Sequence, residues 1–288
     1  MTYKELAAAS RRILSESGID SYAYDTMCLL EHFFSVGRVD MVQKANESPS
    51  AESEQQFLTA VRKRSGGYPL QYILGKWTFM GGEYFVGEGV LIPRDDTEVC
   101  VRACIKSLEL LQSLRTCQNL RIIDLCSGSG IIAVTLAKHF PTAEVYALEL
   151  SETAFSCLAK NIVHNGVENV TAINDDIFTA YDRFEDTAFD LIVSNPTYIE
   201  TNVIPALQKE VQFEPSLALD GGADGLKFYR AIARHWLKKL THGGIISLEI
   251  GEEQGKAVSE LLKQGDISDI QILKDIQNLN RAVFGTKN

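Results

Sequence analysis

A pair of glycines set between two apolar runs constrains this chain more than any other feature. Ile122-Ile123-Asp124-Leu125 leads through Cys126-Ser127-Gly128-Ser129-Gly130 into Ile131-Ile132-Ala133-Val134-Thr135-Leu136-Ala137. The first run reads as a buried strand and the second as a helix. The glycines then mark a tight strand-to-helix turn, where backbone can approach a ligand without a Cβ in the way. Asp124, Cys126, Ser127, Gly128, Ser129 and Gly130 are candidate ligand-binding residues on this ground. A turn of this kind belongs to an open, doubly wound α/β sheet.

The next unit supports the same reading. Glu144-Val145-Tyr146-Ala147-Leu148-Glu149 reads as a second strand ending in an acid, nineteen residues past Gly130. That is the spacing at which a carboxylate meets a ribose diol in nucleotide-binding sheets. Val170-Thr171-Ala172-Ile173 reads as a third strand, and the Asp176-Ile177 pair just beyond it offers an acid beside an apolar residue to an adenine. Ala133 stands where a dinucleotide fingerprint has its third glycine, a replacement that fingerprint tolerates. The loop therefore leaves nicotinamide and adenosylmethionine both open. A fourth apolar run, Asp190-Leu191-Ile192-Val193, empties into Ser194-Asn195-Pro196-Thr197-Tyr198. An Asn amide, a proline-fixed carbonyl and an aromatic face at a strand's carboxyl end can hold a planar NH2 group. The plainer alternative is an Asn-Pro turn that only closes the strand.

With these residues in place the chain resembles the HemK/PrmC family, class I methyltransferases that modify a glutamine side-chain nitrogen in peptide-chain release factors. The resemblance runs over nearly the whole sequence. It includes Pro69-Leu70-Gln71-Tyr72-Ile73-Leu74-Gly75, Leu91-Ile92-Pro93-Arg94, the glycine loop and Ser194 to Ile199. It continues through Phe213-Glu214-Pro215, Gly221-Gly222-Ala223-Asp224-Gly225 and Asn280-Arg281-Ala282-Val283. The Leu-Ile-Pro-Arg and Phe-Glu-Pro blocks are the specific ones, because nucleotide-binding sheets in general have no need of them.

The resemblance implies an α/β fold: a Rossmann-like, seven-stranded mixed sheet whose last strand is antiparallel, preceded by a small N-terminal helical bundle. It implies S-adenosylmethionine as cofactor, held by the 126–130 loop, Asp124, Glu149, Asp176, Ile177 and Asn195. It also implies methyl transfer to the glutamine of the release factor's Gly-Gly-Gln motif. Asn195 and Pro196 would accept the amide hydrogens, Tyr198 would stack on the amide plane, and Thr197 would complete the substrate site; Phe79, in a glycine-rich stretch, reads either as a further site residue folded over the cofactor or as core packing. Two positions depart from the family pattern. Thr197 replaces the second proline of Asn-Pro-Pro-Tyr, and Cys126 stands where many relatives carry glycine. The first predicts a looser turn that Thr197→Pro would tighten, with a modest gain in turnover. The second matters less if only a small side chain is needed there. An adenine-N6 nucleic-acid methyltransferase remains an alternative, since a flipped base offers the same planar NH2. A catalytically weakened S-adenosylmethionine-binding scaffold is another.

Composition bounds the partners. The net charge of −10 argues against a broad nucleic-acid surface, whose affinity would come from Lys and Arg. The one compact basic run, Arg62-Lys63-Arg64, reads as a solvated helix end. The beginning of the chain lacks a basic-then-apolar leader, and no apolar run approaches the roughly 18 residues that span a bilayer. A cytoplasmic protein without a membrane partner, acting as a monomer, is expected. The cysteines (28, 100, 104, 117, 126, 157) contain no C-x-x-C pair, so no metal site is expected.

Three segments follow. Residues 1–71 carry Leu6, Ile13, Leu29, Leu30, Phe33, Phe34, Phe57 and Val61 at helical spacing, and the resemblance makes this bundle a docking surface for the release factor. Residues 72–93 read as a β-hairpin linker. Residues 94–288 read as the methyltransferase domain, ending in a hairpin of Ile270-Gln271-Ile272-Leu273 and Ala282-Val283-Phe284.

Overall fold

The computed structural model describes residues 1–114 and 119–288; Cys117 lies outside them. The described chain forms two compact units. Met1–Lys76 with Gln208–Phe213 is the first, and Trp77–Leu207 with Glu214–Asn288 is the second. No helix among the described residues is long and apolar enough to cross a membrane.

The first unit is helical: α1 (Tyr3–Glu16), α2 (Tyr22–Phe34), α3 (Asp40–Lys44), α4 (Ala51–Ser65) and α5 (Leu70–Leu74). Thr2 opens α1 with a reciprocal cap, its hydroxyl accepting from Glu5 N at 3.3 Å while the Glu5 carboxylate accepts from Thr2 N at 2.8 Å. Two otherwise unpaired N–H groups are thereby met. Leu6, Leu14, Leu29, Leu30, Phe57 and Val61 form the core. Leu14 points inward where periodicity suggested Ile13, which is half-buried with Phe33 and Phe34. The basic run divides in a way the sequence did not show. Arg62 and Lys63 are exposed, but Arg64 is buried. Its Nε donates to Asp25 at 2.6 Å and its Nη2 to Glu210 at 2.7 Å. The solvated helix end therefore stops one residue short, because α4 turns Arg64 toward a buried carboxylate on α2.

The second unit is a layered α/β structure. A two-stranded sheet, β1 (Lys76–Phe79) and β2 (Gly82–Phe85), precedes α6 (Thr97–Leu114). Then follow β3 (Arg121–Leu125), α7 (Ile131–His139), β4 (Glu144–Glu149), α8 (Glu152–His164), β5 (Val170–Asn174) and β6 (Phe189–Ser194). Past several 3-10 turns come α9 (Lys227–Ala231), a π-helical turn at Ile232–Trp236, β7 (Leu240–Glu249), α10 (Gly255–Gln264), β8 (Ile267–Lys274) and β9 (Asn280–Lys287). The seven strands run in the order β5-β4-β3-β6-β7-β9-β8. β3 to β7 are parallel, and β9 is antiparallel to both of its neighbours.

Strand residues alternate between two cores. Ile122, Leu191, Val193 and Ile245 pack with Val101 and Leu108 of α6 and the apolar face of α7. Ile123, Leu125, Ile192, Ile246 and Leu248 pack on the other face with Tyr229, Trp236 and Val258. Every residue of β6 is buried, as parallel strands covered by helices on both faces require.

Residues 72–93 hold the end of α5, the β1-β2 pair and a coil. Phe79 is 3% exposed and meets Tyr84 edge-on at 6.4 Å, inside the core between hairpin and α7. Its ring belongs to that core. An aromatic in a glycine-rich hairpin reads equally as wall or core, and here the Tyr84 hydroxyl, 2.8 Å from Thr135 Oγ1, anchors the hairpin so that Phe79 faces inward.

Candidate active site

Chain order in the sheet reverses between β3 and β6, the crevice where open α/β sheets bind ligands. Leu125 and Ser194 are register partners there, and Ser194 Oγ donates to Leu125 O at 2.6 Å, so the two strand ends are held together. Cys126 and Asn195 follow them directly. Of the candidates, Cys126, Gly128, Glu149, Asp176, Ile177, Asn195 and Thr197 line one cavity. Ser127 and Ser129 line a smaller one that shares Cys126, Gly128 and Asn195. Asp124, Gly130, Pro196, Tyr198 and Phe79 are not among the walls of either.

The loop explains part of that division. Cys126, Gly128 and Gly130 all have positive φ, 60°, 55° and 81°. A Cβ on Gly128 would meet nothing within 4 Å, so this backbone faces open space. One on Gly130 would lie 2.2 Å from Leu158 Cδ1. Gly130 therefore serves the packing of α7 on α8 rather than approach of a ligand. Asp124 is fully buried behind the loop, its Oδ2 accepting from Ala133 N at 3.1 Å, and desolvation pushes its carboxyl up to about 8. It secures the first turn of α7. Cys126 shows that size was the wrong criterion: the left-handed backbone, not side-chain volume, is what favours glycine at this position.

Glu149 ends β4 and turns back into the site. Its Oε2 accepts from Gly128 N at 2.8 Å and its Oε1 from Ser151 N at 2.7 Å. Burial pushes its carboxyl above the ordinary value, and the backbone N–H groups of Ser151, Gly128 and Leu150 pull it partly back. A carboxylate so fixed at the cavity wall suits a vicinal diol. Glu149→Ala removes a charged acceptor worth about 1.5–3 kcal/mol, so S-adenosylmethionine affinity should fall roughly 10- to 100-fold by calorimetry. Unchanged affinity would assign Glu149 to loop structure alone.

The Asn195-Pro196-Thr197-Tyr198 turn is buttressed from several sides. Asn195 Nδ2 donates to Thr97 Oγ1 at 3.3 Å. Pro196 is buried and Tyr198 half-buried against the Trp236 core, with the phenol pushed above its ordinary value by desolvation. Gln254 Nε2 donates to Tyr198 O at 3.0 Å. Glycines 221 and 225 press on the same backbone: a Cβ at Gly225 would lie 2.3 Å from Tyr198 O, and one at Gly221 2.8 Å from Tyr198 C. The Gly-Gly-Ala-Asp-Gly block is a platform under the turn.

Thr197 is not a loose replacement. Its hydroxyl donates to Asp220 O at 3.0 Å and it is 8% exposed. Thr197→Pro deletes that bond, so a stability loss of about 0.5–1.5 kcal/mol is expected in place of the gain in turnover that the family pattern suggested. Thermal unfolding of the variant checks this, and a raised midpoint would restore the first reading.

Contacts between distant segments complete the site. Glu214, 5% exposed, accepts from Ile92 N at 2.9 Å and pairs with Arg94. The Leu-Ile-Pro-Arg and Phe-Glu-Pro blocks are thus clamped together, with Leu91 and Pro215 on the cavity wall. Fully buried Asn161 on α8 donates to Ser129 O at 2.8 Å and to Phe85 O at 3.0 Å, tying loop to hairpin. Sequence reasoning missed Asn161, since an Asn inside a helix ordinarily faces water.

A buried carboxylate closing β4 and an Asn-Pro turn share one cavity at the switch of a seven-stranded mixed sheet, and the sheet is that of the class I methyltransferase fold. Residues 105–210 match the family described as methyltransferase small domain. The catalytic domain of hMettl16, solved with a MAT2A 3'UTR hairpin, shares the fold with a TM-score of 0.57 at 14% identity, covering 83% of each chain. Residues 5–75 match the PrmC N-terminal domain. The release factor glutamine methyltransferase of Thermodesulfovibrio yellowstonii is 34% identical over 92% of this chain and 94% of its own. The protein of that name from Clostridium botulinum is 32% identical over the full length of both. The chain belongs to the release factor glutamine methyltransferase family, and its methyl donor is S-adenosylmethionine.

Proposed function

We infer that this protein transfers a methyl group to the side-chain nitrogen of a glutamine in a peptide-chain release factor. The observation that carries the chemistry is the placement of Asn195 on the same cavity as Glu149. The substrate follows from the full-length relatives, and they do not favour an adenine-N6 activity. The residues fit the cofactor: Glu149 suits the ribose hydroxyls, Asp176 and Ile177 suit an adenine edge and face, and Gly128 leaves room for close approach. When bound, it supplies an electrophilic methyl on a sulfonium.

The protein's part is to make a poor nucleophile attack. An amide nitrogen has its lone pair delocalised into the carbonyl. Asn195 Oδ1 and the Pro196 carbonyl accept its two hydrogens, turn the lone pair toward the methyl, and stabilise the positive charge that grows on nitrogen. Tyr198 supports the amide plane. No strong base is needed before attack, because the proton becomes acidic only as the new bond forms. The helical first unit, matched by the PrmC N-terminal domain, orients the release factor. The reaction takes place in the cytoplasm, on a monomer.

The test is incubation with methyl-labelled S-adenosylmethionine and a purified release factor, the same factor with the target glutamine replaced, and DNA or RNA. Label should enter only the intact release factor. Label in nucleic acid, or equal label in the glutamine-replaced factor, would overturn the assignment.

A further inference from the structure

The smaller cavity is a recess off the larger one, and the chemistry above gives it no occupant. Leu91, Cys126, Gly128 and Asn195 belong to the walls of both. Arg94 is the one charged residue among the recess walls. Its Nη2 pairs with Glu214, whose side chain is 1% exposed and stands on the wall of neither cavity. The other Glu214 oxygen accepts from Ile92 N at 2.9 Å. Glu214 therefore fixes the guanidinium from behind. That contact takes one of the guanidinium's five N–H donors, and the others have no acceptor among the described residues. Ser129, 3% exposed, stands on the same wall, and its hydroxyl also has no partner among the described residues. Ser127 beside it spends its own hydroxyl on Asp124 O at 2.8 Å.

We propose that Arg94, with the Ser129 hydroxyl beside it, binds the carboxylate on the amino-acid tail of S-adenosylmethionine. The inference rests on the cofactor lying with its ribose at Glu149 and its methyl at Asn195. The sulfur carries three groups. With the ribose and the methyl so placed, the third, the amino-acid tail, leaves on the side away from Asp176 and Ile177, which line the larger cavity only. The recess opens there, through Cys126, Gly128 and Asn195.

The tail ends in an ammonium and a carboxylate, and the sign of the recess chooses between them. A guanidinium is its only charged group, and such a planar fork can meet both oxygens of a carboxylate. Ile131 and Ile132, which open the nine-residue α7, are also among its walls. The positive end of that helix adds the same sign. Arg94 then has two duties on two faces: it clamps the Phe-Glu-Pro block through Glu214 and receives the cofactor with the donors left over.

Calorimetry with two ligands tests the assignment: S-adenosylmethionine, and its decarboxylated form, which keeps adenine, ribose, sulfonium and amine and lacks only the carboxylate. The parent should bind the decarboxylated form roughly 10- to 100-fold more weakly, the scale of hydrogen bonds to a charged group. Arg94→Gln is combined with Glu214→Gln so that no buried carboxylate is stranded. The double variant should lose roughly 10-fold in affinity for S-adenosylmethionine and stay within about twofold of the parent for the decarboxylated form, because only the first ligand has the group that Arg94 meets. A parent that binds both ligands equally would overturn the proposal without any substitution. Equal losses on both ligands in the double variant, or no loss on either, would also overturn it, leaving Arg94 as a clamp on Glu214 and the methyl transfer standing. A parent that binds neither ligand would instead overturn the cofactor site on which the proposal rests.

Discussion

Asn195→Ala is expected to lower kcat about 100- to 1,000-fold while the protein stays folded, the scale found when one preorganised polar group is removed from a developing charge. If Asn195 accepts from the substrate amide, the loss should fall on kcat more than on the cofactor's affinity, because such a hydrogen bond strengthens only as the nitrogen becomes positive. The fold should survive because the turn has other anchors. Tyr198 O is held by Gln254, Thr197 by Asp220 O, and Ser194 by Leu125 O. Steady-state methylation of a release factor, with cofactor binding measured separately, provides the check. A variant that binds cofactor normally and turns over at the parent rate would make Asn195 a turn residue only.

The second large effect belongs to the helical unit. Arg64→Ala leaves the Asp25 carboxylate, 2% exposed, without the guanidinium 2.6 Å away. Breaking a buried pair from one side costs about 3–5 kcal/mol. Hydrogen exchange should therefore accelerate in α1, α2 and α4, while amides of β3, β4 and β6 keep their protection. Replacing both buried partners by apolar residues, Arg64→Met with Asp25→Leu, should recover most of the loss, since no buried charge is then stranded and Glu210, the second partner, is 40% exposed. The walls of the cavity all belong to the second unit, so S-adenosylmethionine affinity should change little in Arg64→Ala. If the helical unit docks the release factor, methylation of the intact factor should drop more than that of a short glutamine peptide. Equal losses on both substrates would remove the docking role.

What could be read from the sequence was local. The strand-loop-helix around Gly128, the acid closing β4 and the Asn-Pro turn after β6 are each set by spacing within one segment, and the order of apolar runs dictated an α/β sheet. Residues whose meaning depends on a distant partner could not be read. Glu249 looks like any acid at a strand end until the fold buries it to 2% exposure. Arg64 looks solvated until α2 supplies Asp25. Phe79 reads as site or core alike, because aromatic character alone does not distinguish a wall from a core. Thr197 was judged against a family pattern, when its hydroxyl has Asp220 O for a partner. Cys126 was weighed by volume, although backbone handedness is what that position tests.

The placement of β9 between β7 and β8 bears on how the molecule comes into being. During synthesis, β7 and β8 both leave the ribosome before the strand that must separate them. Until β9 arrives, β7 presents an unpaired edge, and β8 has no correct neighbour although β7 is close by in the chain. Direct pairing of β7 with β8 is the tempting error, and correcting it means opening a ladder already formed. Closure of the sheet is therefore a late insertion rather than an extension, a topology that favours slow final folding and leaves the nascent enzyme open to aggregation through its longest strand.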